Sequence, residues 1–381
     1  MTDNGVRPIR ADVYGTAIPM RSFEHAAASR DLAEAVVLRV EYSDGQAGWG
    51  ETLPRAYVTG ETLDSVLADL TGALWPIFRE RSPMGSMSAE PLPERSSDGR
   101  CINAAACALD LADLDRELAG LSPRKALPGR RIGARVSGVL GSSDPGRTAK
   151  RLRLMRWYGL RDFKLKLGFG EDVDAENLHV VHRRIGRAVA RGKCTLRVDV
   201  NGGWDADSTP QHVEELRRYG VSVVEQPVLC GAGELADLSR RCALPLMADE
   251  SLLTEADAAA LLEAPDRVWW NIRISKNGGI RRALGLANLA GGRGVPWALG
   301  CMVGESGILS AAQRRLLQLC PGARFVEGNY GRFLLADDLT VPSLRFGWGG
   351  RLKSLWRPGL GMAVDPAKLD RYGKLLKTLH A

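Results

Sequence analysis

The stretch LRVDVNGGW, residues 196–204, has the pattern of a short buried β-strand that ends on polar side chains and then turns on two glycines. Val198 and Val200 alternate with Asp199 and Asn201, so the carboxylate and the carboxamide lie on one face of the strand. A single aspartate at a strand end is usually a helix cap or a turn residue. Here similar strand ends recur along the chain, and each closes on a charged side chain. This repetition favours a fold in which the ends of several strands lie close together.

Short apolar strands alternate with segments of helical character from about residue 132 onward. The strands are predicted near residues 134–140, 161–166, 194–200, 222–226, 245–249, 267–273, 295–299 and 324–328. Eight strands in this rhythm predict an α/β fold with a parallel βα barrel of the TIM type, whose functional side chains lie at the carboxyl ends of the strands. An open doubly wound sheet is the alternative, but no glycine-rich phosphate-binding turn follows any predicted strand.

The sequence on either side of the predicted barrel lacks this regular alternation of short strands and helices. The predicted division is a capping domain at residues 1–130, the barrel at 131–340 and a tail at 341–381 that returns to the cap. In the capping domain, strands at 35–42 and 46–51 and a helix at 104–118 indicate an α+β module. Two loops, residues 18–25 and 54–62, carry aromatic and charged residues. The tail is predicted to end in a short helix.

Composition argues against several classes of function. The chain has 381 residues, 45% hydrophobic and 25% charged, as in ordinary globular proteins. Its formal charge of +7 comes largely from arginines that are dispersed along the chain, without the interleaved aromatic residues that are typical of nucleic-acid binders. A positive charge of this kind favours small carboxylate substrates. The seven cysteines form no Cys-x-x-Cys pair, which argues against zinc sites and disulfides. No segment has signal-peptide or membrane-spanning character, so a cytoplasmic protein is expected, and a homo-oligomer stays open.

Three carboxylates at predicted strand ends have the spacing of consecutive barrel strands. Asp199 and Glu225 are 26 residues apart, and Glu225 and Asp249 are 24 apart, about one strand–helix unit each. Carboxylates gathered in a barrel mouth would repel one another, and a divalent cation relieves that repulsion. Oxygen ligands without histidine or cysteine favour Mg²⁺, and Mn²⁺ would satisfy the same set. Asn201 and Glu250 would support these ligands, although ion pairs with arginine are the simpler explanation of any single carboxylate.

Two lysines lie on the strand that precedes the first of these carboxylates. Lys164 and Lys166 are two residues apart and therefore share one face of the strand. In a barrel mouth, each ammonium group makes protonation of the other more costly, which suits Lys166 to act as a general base. A lysine base opposite a metal ion suits removal of a proton α to a carboxylate, with the metal holding the enediolate.

Together these motifs resemble those of the enolase superfamily, specifically its muconate lactonizing enzyme subgroup. The resemblance covers nearly the whole chain, and further motifs that carry it are Glu225-Gln226-Pro227, Asp249-Glu250-Ser251 and PGLGMAVD in the tail. It implies the modified barrel and capping domain of that superfamily. It also implies that Asp199, Glu225 and Asp249 bind Mg²⁺ and that Lys166 is the base on one face of the substrate.

The chain departs from the family pattern at the end of the sixth strand. The family's second catalytic lysine stands there in Asn-Ile-Lys, whereas this chain has Asn271-Ile272-Arg273, with Lys276 three residues later. Arginine stays protonated, so Arg273 is a poor base and a good fixed cation. One-base chemistry is therefore favoured, either cycloisomerisation or syn-elimination as in o-succinylbenzoate synthase. The alternatives are a racemase or epimerase that uses Lys166 and Lys276, and a catalytically inactive relative that binds a ligand.

Further pocket residues are expected after the last two strands. Dipeptide epimerases of the family carry Asp-x-Asp after the eighth strand, whereas this chain has Glu327-Gly328-Asn329, which argues against a dipeptide substrate. Glu305 is expected to accept hydrogen bonds beside the site or to be the first-turn acid of the next helix. The residues predicted to contact the substrate are Arg21, Tyr57, Cys301, Met302, Asn329 and Tyr330.

Overall fold

A computed structural model describes residues 5–25, 28–80, 90–121 and 131–381. Its strands are β1 (Pro8–His25), β2 (Ala28–Tyr42), β3 (Ala47–Thr52), β4 (Gly138–Leu140), β5 (Asp162–Lys166), β6 (Thr195–Asp199), β7 (Val221–Glu225), β8 (Leu246–Ala248), β9 (Val268–Ile272), β10 (Trp297–Leu299), β11 (Phe325–Val326), β12 (Thr340–Val341), β13 (Ala363–Val364) and β14 (Gly373–His380). Its α-helices are α1 (Ala56–Thr59), α2 (Leu63–Asp69), α3 (Trp75–Glu80), α4 (Asn103–Ala119), α5 (Pro145–Trp157), α6 (Glu171–Ala190), α7 (Thr209–Leu216), α8 (Ala232–Arg241), α9 (Glu255–Leu261), α10 (Ile280–Gly292), α11 (Gly307–Leu319) and α12 (Pro366–Tyr372).

The strands β4 to β11 form one parallel sheet in chain order, and helices connect them. Their apolar sequences suit strands that are buried on both faces. The amide of Ser137 donates to the carbonyl of Val326 at 2.8 Å, which joins the first strand to the last and closes the sheet. The predicted TIM-type βα barrel is confirmed. Because every strand runs in the same direction, all their carboxyl ends meet at one mouth.

A second, antiparallel sheet with the strand order β14-β1-β2-β3 forms the cap. Helix α4 lies so close to β3 that a Cβ atom on Gly50 would stand 1.9 Å from the carbonyl oxygen of Ala108. Glycine therefore permits the close contact between this helix and the sheet. With its helices on an antiparallel sheet, the cap has the predicted α+β character.

Buried ion pairs join the cap to the barrel. Arg281 on α10 reaches Asp110, Asp113 and Glu117 on α4, with nitrogen–oxygen distances of 2.9, 3.0 and 2.8 Å. Its side chain is almost fully enclosed. Burial raises the pKa of Asp113 and of Glu117, although the Arg281 charge opposes that rise. These contacts hold the cap over the barrel by charge as well as by apolar packing.

Three local predictions were wrong. Residues 18–25 were expected to form a loop, but β1 continues to His25 and pairs with β2. Residues 54–62 were also expected to form a loop, but the one-turn helix α1 lies within them. The tail was expected to end in a helix, but β14 follows α12 and pairs with β1. Most β14 residues are exposed, so its sequence lacks the apolar alternation of a half-buried strand, and backbone pairing places it instead. None of the helices described combines the length and apolar composition needed to cross a bilayer.

Candidate active site

The carboxyl ends of β5 to β8 bring four predicted site residues into one buried cluster. Strand register places Lys166 beside Asp199, and Asp199 beside Glu225. Asp249 follows the end of β8 directly. All three carboxylates are fully buried. Their positions follow from the parallel register, since each strand delivers its last residue to the same rim.

Lys164 lies at the centre of the cluster. Its ammonium nitrogen is 3.1 Å from Glu225, 2.9 Å from Glu327 and 3.2 Å from Asp199. Burial opposes the charged form, but these three carboxylates outweigh it and raise the pKa of Lys164 well above its usual value. Lys164 therefore stays protonated and acts as a fixed positive charge.

Lys166 lies at the more open edge of the same strand. Its ammonium nitrogen is 2.8 Å from the side-chain oxygen of Asn201 and 3.3 Å from Asp199. Its side chain is 11% exposed, compared with 2% for Lys164, so it is the lysine of this pair that faces the mouth. Asn201 adopts a left-handed backbone conformation with φ of 50° and reaches Glu250 at 3.4 Å.

Cations separate the three carboxylates from one another. Lys164 bridges Asp199 and Glu225, and the Arg273 guanidinium contacts Asp249 and lies 3.7 Å from Glu225. In the part of the chain described, no three acidic, histidine or cysteine side chains surround a common metal position. Burial and the Asp199 charge raise the pKa of Glu225 to about 8, whereas Lys166 and Lys164 overcome burial and lower the pKa of Asp199.

Arg273 and Lys276 take different positions although they are three residues apart. Arg273 follows β9 at the mouth, and its guanidinium is 3.7 Å from the Met302 sulfur. Lys276 is completely enclosed and donates to the Asp249 carbonyl at 2.5 Å, to the Asp249 carboxylate at 3.0 Å and to the Asn271 carbonyl at 2.9 Å. These acceptors match the three donors of an ammonium group. Lys276 thus holds Asp249 from below, and Arg273 occupies the rim.

A model of the enolase C-terminal domain-like family matches residues 147–368, which is more than half of the chain. The chain belongs to the enolase superfamily. It is 30% identical over 308 residues to the N-succinyl-L-Arg/Lys racemase of Bacillus cereus, covering 79% of this chain and 81% of the racemase. It is 28% identical to muconate cycloisomerase 1 of Pseudomonas putida, covering 89% of this chain and 90% of that enzyme. The superfamily and the resemblance to muconate cycloisomerases predicted from the motifs are confirmed.

Solved structures show the same fold. The crystal structure of the Bacillus cereus racemase superposes with a TM-score of 0.82 at 23% identity, covering 98% of this chain and all of that chain. The muconate lactonizing enzyme from Pseudomonas fluorescens, in complex with muconolactone, superposes with a TM-score of 0.81 at 24% identity and the same coverage. The chain is thus an enolase-superfamily enzyme whose relatives include racemases, epimerases and cycloisomerases.

Arg197 was missed from the sequence and Glu327 was given too little weight, and both side chains lie in the buried cluster. Arg197 is fully buried, contacts Glu327 and donates to the Ser137 hydroxyl at 3.2 Å. The charges of Lys164 and Arg197 overcome burial and lower the pKa of Glu327 to about 2. The alternation of β6 contained the necessary signal, because Arg197 is two residues from Asp199 and therefore on the same face.

The residues predicted after β10 and β11 meet around one small cavity. Its lining includes Cys301, Met302, Glu305, Asn329 and Tyr330. Burial raises the pKa of Glu305 to about 8, and this side chain accepts from the Met302 amide at 2.7 Å. The Asn329 amide is engaged by Arg314 and Gln313, both at 2.7 Å.

The two predicted cap-loop residues lie on the outer part of the molecule. Arg21 is exposed on β1 and lines a largely apolar cavity of 420 Å³ that Tyr330 also lines. Tyr57 is 40% exposed on α1. The neighbouring Arg55 donates to the carbonyl of Val303 at 3.2 Å, which ties the start of α1 to the segment after β10.

Proposed function

We propose that this protein is a metal-dependent enzyme that removes the α-proton of a carboxylate substrate with one base, Lys166, and completes a cycloisomerisation or a syn-elimination. The observation that carries the proposal is the position of Lys276, which is completely enclosed with its donors engaged, while Arg273 takes the rim. A racemase needs an acid–base group on each face of the α-carbon. Burial opposes the charge on Arg273, but Asp249 and Glu250 raise its pKa well above the usual value, so it does not serve as a base.

The donor set supports a hard divalent cation. Asp199, Glu225 and Asp249 offer only oxygen, from three consecutive strand ends, as Mg²⁺ prefers. The Oε2 of Glu250 is buried without a hydrogen-bond partner among the described residues, whereas the Oδ2 of Asp199 is contacted by the Lys164 and Lys166 ammonium groups at 3.2 and 3.3 Å. Binding requires Lys164 and Arg273 to turn away from the carboxylates they now separate. When bound, Mg²⁺ or Mn²⁺ would supply positive charge to the carboxylate of the enolised substrate.

The side chains of the site have distinct tasks in this proposal. Neutral Lys166 accepts the α-proton at Nζ, while the Asn201 oxygen 2.8 Å away orients that nitrogen. In a syn-elimination the same ammonium then gives its proton to the departing hydroxyl group. Lys164 and Arg273 keep their protons throughout and stabilise the negative charge that develops on the substrate.

A racemase or epimerase is the second candidate, because relatives of 30% identity are an N-succinyl-L-Arg/Lys racemase and an L-Lys-D/L-Arg epimerase. That activity would need a proton donor and acceptor on the face that Arg273 occupies. The two candidates differ in stereochemistry, since one base exchanges the α-proton of one enantiomer, whereas two bases exchange and invert both.

Proton exchange in D₂O with Mg²⁺ present separates the candidates. The test substrates are both enantiomers of N-succinyl-lysine and N-succinyl-arginine, together with cis,cis-muconate. We expect turnover or one-sided exchange that is lost in Lys166→Ala and kept in Lys150→Ala, a substitution at an exposed lysine on α5. Inversion of both enantiomers would establish the racemase, and exchange that survives Lys166→Ala would exclude Lys166 as the base.

We also propose that the enzyme acts in the cytoplasm. All seven cysteines are unpaired, and four of them are buried, as in proteins from reducing compartments. Cell fractionation of the source organism checks this location, and recovery in an extracellular or envelope fraction would contradict it.

A further inference from the structure

A second cluster of cations surrounds a cavity at the opposite end of the barrel. The cavity measures 310 Å³, and its lining residues are Arg135, Arg156, Gly159, Arg161, Trp348, Gly349 and Arg351. Arg161 directly precedes β5, whose other end carries Lys166. Five residues of extended chain separate these two positions by about 16 Å. A small ligand in this cavity would therefore not touch the cluster around Lys166.

The four arginines of this cavity lack carboxylate partners. None of them forms an ion pair with an acidic side chain in the ranges that the structure describes. Asp162, which follows Arg161, accepts instead from the Thr195 hydroxyl at 2.7 Å. One guanidinium nitrogen of Arg156 is anchored by the Leu160 carbonyl at 3.1 Å and the Cys194 sulfur at 3.2 Å. Four neighbouring positive charges with no carboxylate in ion-pair contact repel one another, and a bound anion would relieve that repulsion.

The backbone around the cavity brings three parts of the chain together. Gly159 has a left-handed φ of 87°, and a Cβ atom there would stand 3.1 Å from the Trp348 indole nitrogen. The amide of Gly349 donates to the Tyr158 carbonyl at 2.8 Å, which fixes the tail against the segment before β5. Trp348 packs edge-on against Trp157 with ring centres 5.6 Å apart. The indole is thereby held as a wall of the cavity.

We propose that this cavity binds a small oxyanion with at least two negative charges, either a phosphate group or a compact polycarboxylate. Guanidinium groups pair with both through two parallel hydrogen bonds, which distinguishes them from lysine ammonium groups. The volume of 310 Å³ admits a small molecule rather than a macromolecular segment. The site is separate from the mouth where the substrate carboxylate is proposed to bind, so this inference does not depend on the reaction.

Calorimetric titration of the full chain with inorganic phosphate, pyrophosphate and citrate, at low ionic strength, tests the proposal. The variant Arg161→Gln/Arg351→Gln removes two exposed guanidinium groups from the cavity. The matched control Arg153→Gln/Arg218→Gln removes the same charge from exposed positions outside it. We expect the cavity variant to bind at least about tenfold more weakly, since two charge-assisted contacts are lost, and the control to bind like wild type.

The same anions should raise the thermal unfolding midpoint of wild type and of the control, but not of the cavity variant. Tighter binding of pyrophosphate or phosphate than of citrate would assign the site to phosphate groups, and the reverse order to polycarboxylates. If the double variant does not fold, Arg351→Gln alone serves the same comparison. The proposal is overturned if none of the three anions binds at millimolar concentration, or if the control variant loses as much affinity as the cavity variant.

Discussion

Replacing Lys276 by methionine tests the feature on which the proposed reaction depends. Methionine keeps most of the apolar stem and removes the ammonium group. In wild type that group donates to two carbonyl oxygens and to the Asp249 carboxylate, with no exposed surface. Burial lowers the pKa of Lys276 in spite of Asp249, so the attraction between the pair does not fully offset the desolvation of the ammonium group. The loss on substitution comes instead from acceptors that are left buried without a donor.

The size of this loss follows from the contacts. Removing one partner of a buried ion pair typically costs about 3–5 kcal/mol, because the other charge stays uncompensated. Arg273 still contacts the second oxygen of Asp249 in the variant, so the lower end of that range, about 3 kcal/mol, is expected. Urea unfolding monitored by circular dichroism at neutral pH measures it.

Lys166→Met is the matched control for Lys276→Met. Its ammonium group is mostly buried but lies nearer the mouth, and Lys164 still contacts Asp199 in the variant, so we expect a smaller loss of stability than for Lys276→Met. The α-proton exchange should nevertheless be lost, because the base is absent. The opposite pattern, a Lys276→Met variant as stable as wild type that no longer exchanges one enantiomer, would show that Lys276 faces the substrate. The one-base proposal would then fail.

Three further substitutions concern the cap. Arg281→Met leaves two buried carboxylates and one partly buried carboxylate of α4 without their cation, so its unfolding free energy in urea should fall by about 3–5 kcal/mol, with exposed Arg293→Met as control. Gly50→Ala would drive a Cβ into α4, whereas a Cβ at Gly72 meets open space, so only Gly50→Ala should lower the thermal midpoint. Burial raises the pKa of Glu51 from 4.5 to about 7. The native state therefore keeps a proton that the unfolded chain releases, and stability falls as pH rises through that window. Glu51→Gln should remove up to about 3 kcal/mol of this pH dependence, measured by urea unfolding at about pH 5 and about pH 8.

The barrel could be predicted from the sequence because its signals are local and repeated. Most of the parallel strands end at or just before a charged residue, and β5, β6 and β9 lie within one residue of their predicted positions at both ends. Register follows from parallel pairing, so the neighbouring positions of Lys166, Asp199 and Glu225 were also accessible. The strand β14 was not, since its exposed residues carry no alternation and only its pairing with β1 defines it.

The sequence pattern could not show whether Arg273 or Lys276 lies at the mouth, and the reason is physical. Both residues lie after β9, where the chain no longer has the period of a strand. The Asn277 side chain accepts from the Arg273 amide at 2.9 Å and donates to the Leu252 carbonyl at 2.9 Å, which bends the segment inward. This bend carries Lys276 beneath Asp249 and leaves Arg273 at the rim. Such long-range side-chain bonds have no counterpart in local periodicity.

The charges at the mouth connect this geometry to the proposed substrate. The cationic side chains of the cluster are Lys164, Lys166, Arg197, Arg273 and Lys276, and the acidic ones are Asp199, Glu225, Asp249, Glu250 and Glu327. With all of these groups ionised their formal charges cancel, and with Lys166 neutral, as its proposed role as the base requires, the set carries one negative charge. A carboxylate alone would make this set more negative, and a divalent cation alone would leave it positive. A carboxylate together with a divalent cation brings the set to neutrality, so each should bind more tightly in the presence of the other, and by the same factor.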